Sequence, residues 1–136
     1  MAEMLPPLIP DDAPDSEKRI FEKFKYDDEC SDWTVLHSLG LAQRGIRKPY
    51  GEIDFVVIVP GQGIICIEVK GGGVKCEKGQ WTTTNRYGRT ENLKKSPFEQ
   101  VRDGMASLRS SVELEFGSQS GITRSFFGTA VIFTDV

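Results

Sequence analysis

Histidine, cysteine and surplus positive charge are all scarce in this chain. There is one histidine, His37, and three cysteines, Cys30, Cys66 and Cys76, which form no CxxC pair and leave an odd one over. That count argues against a disulfide framework and for reduced thiols in a cytoplasm. Seventeen basic against twenty acidic residues give a net charge of −3, which excludes a protein that coats nucleic acid through bulk charge; any such contact has to be local. Met1 to Pro10 is proline-rich, lacks a basic start and is too short for a membrane span, so neither a secretory leader nor a membrane anchor is expected. Gly61-x-Gly63 and Gly71-Gly72-Gly73 do not open a helix, and no Lys-Ser/Thr follows them, which excludes a nucleotide-binding loop. At 136 residues the chain is expected to form one domain, large enough for a sheet with helices on its faces.

What is present centres on residues 51–70. Two β-branched apolar runs flank Pro60-Gly61-Gln62-Gly63 and read as a β-hairpin. Both runs are apolar at almost every position, as in strands covered on both faces. Asp54, Glu68 and Lys70 interrupt them, and an unpaired buried charge is costly, so each needs a partner or a role. Side chains alternate along a strand, which puts Glu68 and Lys70 on one face with Cys66 and Ile64. The numbers of opposed residues in an antiparallel hairpin add to a constant, and a loop centred on Gly61 makes it 122. Asp54 then lies opposite Glu68, so an odd loop or a bulge is expected. Opposed residues have Cβ atoms roughly 5 Å apart, and two carboxylates that close repel unless a cation lies between them. Oxygen ligands without nearby His or Cys favour Mg²⁺ or Mn²⁺.

Asp54, a spacing of fourteen residues, then Glu68-Val69-Lys70 resembles the PD-(D/E)xK signature of restriction-endonuclease-like nucleases. With Gly51 to Val57, Ile67 to Gly72, Trp81 and Ser96 to Gln100, the chain is similar, over about residues 16 to 136, to the nuclease-related domain, NERD. Ile53 stands where the signature has proline. The resemblance implies an α/β fold with an αβββαβ core and a mixed central sheet flanked by helices. It also implies metal-dependent hydrolysis of DNA, RNA not being excluded, with Glu17, Asp54, Glu68 and the Val69 carbonyl holding Mg²⁺ or Mn²⁺. Lys70 would orient or help deprotonate the attacking water.

Residues 1–14 hold four of the seven prolines and are expected to form a disordered lead-in to a domain spanning 15–136. Asp15 and Ser16 offer N-caps for a helix through about Lys25. Glu17 shares its apolar stripe with Ile20, Phe21 and Phe24, whereas Glu22 is rotated away. Periodicity alone leaves Glu17 as either a first-turn acid favoured by the helix dipole or a site residue; the resemblance favours the second. Trp33 to Ser38 reads as a strand, and a lone His37 at its end as a hydrogen-bonded structural residue with no catalytic role. A polar connection, Leu41 to Pro49, carries Arg44, Arg47 and Lys48.

Val74 to Cys76 and Trp81 to Thr84 read as a second hairpin. Arg86, Arg89, Lys94 and Lys95 form the most basic stretch, either a solvated loop or the part that holds the phosphate backbone. Ser96, Pro97 and Glu99 make a helix start with a capping box. That helix is expected to bury Phe98, Val101, Met105, Leu108 and Val112. Gln100, off this stripe, is a motif residue by the resemblance. A last strand is expected from Thr129 to Thr134.

An end so close to a core strand suggests a piece of a longer protein. NERD modules are often joined to helicase or kinase-like domains, and many relatives of this fold pair up to cut two strands, so such a fusion and a homodimer are implied. The rival expectation is a catalytically silent nucleic-acid or protein-interaction module. A third is that Glu68 and Lys70 merely form ion pairs in the sheet.

Overall fold

The fold is that of a computed structural model describing residues 1–42 and 49–135. Arg44, Arg47 and Lys48 lie outside the described residues. The main sheet has five strands in the order β1 (Glu3–Leu5), β2 (Thr34–Ala42), β3 (Pro49–Val59), β4 (Gly63–Lys70) and β8 (Phe127–Phe133). It is mixed: β1 and β2 are parallel, β2–β3 and β3–β4 antiparallel, and β4 and β8 parallel. A smaller antiparallel sheet, β5 (Gly73–Glu77), β6 (Gln80–Thr84) and β7 (Thr90–Asn92), follows β4. Helix α1 (Asp15–Tyr26) precedes β2, and α2 (Pro97–Phe116) precedes β8. The expected α-β-β-β-α-β order is therefore present, with β1 ahead of it and the small sheet inserted.

Two cores follow from the near-continuous apolar runs of β3 and β4. On one face Phe55, Val57, Ile67 and Val69 pack with Ile20 and Phe21 of α1 and with Met4 of β1. On the other, Val56, Ile64 and Cys66 pack with Val101 of α2. Alternation along each strand divides the residues between the faces, so both runs must be apolar throughout. The β3–β4 register pairs Val59 with Gly63 and Phe55 with Ile67, around the three-residue loop Pro60-Gly61-Gln62, as the odd-loop argument requires. Gly63 has φ +143°, and a Cβ there would lie 2.5 Å from the Phe126 carbonyl oxygen. That carbonyl accepts from the Ile64 N–H at 2.8 Å and starts the β4–β8 pairing.

Several expectations are corrected. Residues 1–14 contain β1, whose inward Met4, together with Ala2, is buried in the α1 core; that burial and the parallel pairing with β2 tie the lead-in to the sheet. Pro14 is the N-cap of α1, and no side chain caps it; Ser16 is buried instead, closely packed on Gly71. The basic stretch is not one loop, because Thr90 to Asn92 pairs with β6. Ser96 does cap α2, accepting from the Glu99 N–H at 3.1 Å. Val101 is buried and Met105 and Leu108 pack beside it, but Phe98 is 47% exposed. Near the helix start the stripe runs off the edge of the sheet, and Phe98 meets Trp81 and Phe133 there.

Candidate active site

The last turn of alternation in β4 carries the first two groups. Glu68 is buried, and its Oε1 lies 3.2 Å from Lys70 Nζ, as expected for neighbours on one face of a strand. Burial raises the Glu68 pKa, and the Lys70 ammonium opposes the rise.

Asp54 is brought to them by a paired irregularity. The β2–β3 ladder joins His37 to Phe55 and Leu39 to Ile53 but skips Ser38 and Asp54. Ser38 has φ +59°, a left-handed conformation that costs a non-glycine residue strain. Across this point the alternation flips: Ile53 joins the α2 core although Phe55 and Val57 belong to the α1 core. The Asp54 carboxylate accepts from the Val69 N–H at 2.9 Å just beyond the last β3–β4 pair. Burial, then the Glu68 charge, pushes its pKa up to about 7, against the Val69 hydrogen bond. The two carboxyls titrate together: burial raises both, and the Glu68 charge adds to the rise at Asp54.

Glu17 comes from the first turn of α1. Its Oε1 lies 3.0 Å from His37 Nε2, with the imidazole buried against Phe21 and Phe55. Its negative charge raises the pKa of both Asp54 and Glu68. The reading of His37 as structural did not foresee this partnership. Its one available signal was a polar ring in a strand whose neighbours face the same helix as Glu17.

These groups open into one cleft of about 730 Å³, lined by Ser16, Glu17, Asp54, Glu68, Val69 and Lys70, by the Gly71–Gly73 exit and by Thr83 to Arg86. Asp135 closes a side, accepting from Arg19 and from the Gly72 N–H, both at 2.8 Å. Arg19 holds the Asp135 carboxylate below its usual range. No local pattern could have paired residues so far apart in the chain. Of the basic candidates, Arg86 lines the cleft. Arg89 is exposed beside Glu91, and Lys95 contacts Asp103 at 2.6 Å; neither these nor the exposed Lys94 is among the lining residues. Gln100 is not among them either, its amide donating to the Lys95 carbonyl at 3.3 Å.

Residues 15–134 match the family model of the nuclease-related domain. The chain belongs to the NERD family. No curated protein and no solved structure matches it. This NERD domain keeps an acid on α1, the hairpin acid and the Glu-x-Lys ending of β4 in one cleft. Among the described residues no three His, Cys, Asp or Glu side chains are grouped as a metal would require, because Glu17 faces His37 and Glu68 faces Lys70. The donor chemistry nevertheless fits a hard divalent ion: carboxylate oxygens in one cleft, with burial and the Glu68 charge raising the Asp54 pKa. Among the described residues no helix is long and apolar enough to cross a membrane, and all three cysteines are free.

Proposed function

We propose that this NERD domain is a metal-dependent nuclease that hydrolyses DNA phosphodiester bonds. The observation that carries the proposal is the meeting of Glu17, Asp54, Glu68 and Lys70 in one cleft, with the Asp54 proton held up to about 7. Asp54, Glu68 and the Val69 carbonyl would hold Mg²⁺ or Mn²⁺, with Glu17 joining when it leaves His37. A bound divalent ion supplies Lewis acidity, acidifying water and offsetting charge that grows on the phosphate.

The remaining chemistry belongs to the chain. Asp54 gives up its proton as a counter-charge arrives. Lys70 turns from Glu68 to a phosphate oxygen or to the attacking water, which its ammonium orients while offsetting charge on the phosphate. His37 holds Glu17 in the cleft until it is released, and Arg86, which lines the same cleft, takes a neighbouring phosphate. The proposal includes a cytoplasmic setting, in keeping with the free thiols, and a helicase or kinase-like domain or a second copy as partner. RNA remains a second substrate class.

The silent interaction module is favoured by one observation: Glu17 and Glu68 already have cationic or hydrogen-bonding partners. Calorimetric titration of Mn²⁺ into the wild type and Asp54→Ala, followed by incubation with circular and linear DNA, separates the two. Binding and cleavage lost together in the variant support the nuclease. A wild type that takes up no metal and cuts neither DNA is the interaction module.

A further inference from the structure

Beside the cleft, three aromatic rings from three different elements form one cluster. The Trp81 and Phe133 rings are parallel within 4°, with centroids 6.4 Å apart. Phe98 meets both edge-on, at 5.8 Å from Trp81 and 6.1 Å from Phe133. The cluster lies close to the proposed chemistry. Phe133 is the direct partner of Lys70 across β4 and β8, one strand spacing of about 4.8 Å away. Trp81 shares β6 with the cleft-lining Thr83 and Thr84.

Anchoring α2 does not explain all of it. Pro97 is fully buried and Val101 sits in the core, so the helix is fixed by its neighbours, while Phe98 stays 47% exposed after meeting two other rings. An apolar ledge left partly open beside a cleft proposed to take a phosphodiester has a natural occupant in a flat apolar face attached to a phosphate. We propose that Trp81, Phe98 and Phe133 form a stacking ledge for an unpaired base of the substrate strand, which makes single-stranded DNA, or a frayed end, the preferred substrate. This rests on the nuclease reading of the cleft and adds to it the form of the strand. A base inside a duplex is paired and covered on both faces, so only an unpaired one can present itself to a ring. The charge balance argues the same way. A chain with a net charge of −3 gains little from bulk attraction, and stacking supplies attraction that does not depend on salt or on base sequence.

The test uses Lys70→Met in Mg²⁺, so that cutting is slow on the timescale of the titration. Trp33→Phe in that background leaves Trp81 as the reporting tryptophan, the chain having two. A short oligodeoxythymidylate, the same strand in a duplex and an abasic oligomer of equal length are titrated against its fluorescence, and calorimetry without the Trp33 change repeats the comparison. The expected result is quenching of Trp81, with the base-bearing single strand bound about tenfold more tightly than the duplex or the abasic oligomer. Phe98→Leu, which keeps the seam apolar but removes the ring, removes that preference while the circular dichroism stays the same. Equal binding of the three probes, no binding at all, or a preference that survives in Phe98→Leu overturns the ledge. Cleavage by the unaltered chain is scored separately. Cutting without base-dependent binding keeps the nuclease and discards the ledge, and base-dependent binding without cutting does the reverse.

Discussion

The charge state of Asp54 couples the cleft to stability. In the folded chain its carboxyl holds its proton up to about 7, against 3.8 when unfolded. Between those values the folded state binds more protons than the unfolded one, so this group's contribution is greatest at low pH and is lost as pH rises through about 7. Asp54→Asn is expected to flatten that decline, read by urea unfolding at about pH 5 and about pH 8. The same slope in both proteins would contradict the shift. Lys70 acts differently, since its ammonium offsets the charge of buried Glu68. Lys70→Met is expected to lower cleavage by on the order of 10²-fold while leaving the fold intact. Cleavage within a few-fold of wild type would remove Lys70 from the mechanism.

Elements set the spacing of these residues through close backbone approaches. A Cβ on Gly71 would fall 2.9 Å from both Cβ and Oγ of Ser16, on the first turn of α1. The helix backbone stands behind that contact and cannot yield as a flexible side-chain tip would. Gly71→Ala is therefore expected to cost about 1–3 kcal/mol and to displace Glu17, lowering both melting temperature and cleavage. Gly73→Ala is the control, because its Cβ would meet Thr84 Cβ at an ordinary 3.7 Å. Equal effects of the two changes would show that the contact with α1 does not position the site. The element scale also explains what was readable and what was not. Hairpin parity brings Asp54 to the Glu68 end of β4, where it meets the Val69 N–H, and helical period puts Glu17 on the stripe that faces the cleft, so both approaches were legible. The kink at Ser38 and Asp54 was not, since nothing local in Leu36 to Leu39 marks a left-handed serine. Nor was the exposure of Phe98, which depends on where the sheet edge falls under α2.

For the whole molecule, the two cores share β3 and β4 as a common wall, so loosening either face loosens the other. The small sheet is different: β5 and β7 are largely exposed, and β6 is only half-buried. Its amides are expected to exchange with solvent faster than those of β3 and β4, as measured by native-state hydrogen exchange. Equal protection would mean that the aromatic seam binds the small sheet into the main cooperative unit.

By itself the sequence determined the fold class, the hairpin register and the placing of Glu68 and Lys70 together at the end of β4. These follow from periods of two and 3.6 residues and from the cost of burying charge. Tertiary structure alone decided that His37 holds Glu17, that Arg19 and Asp135 brace the Gly71–Gly73 exit, that Gln100 turns to a backbone carbonyl, and that Arg86 of the basic stretch lines the cleft. The physical reason is range: periodicity reports which way a side chain points within its own element, whereas partners drawn from different elements depend on how helices and loops pack around the sheet.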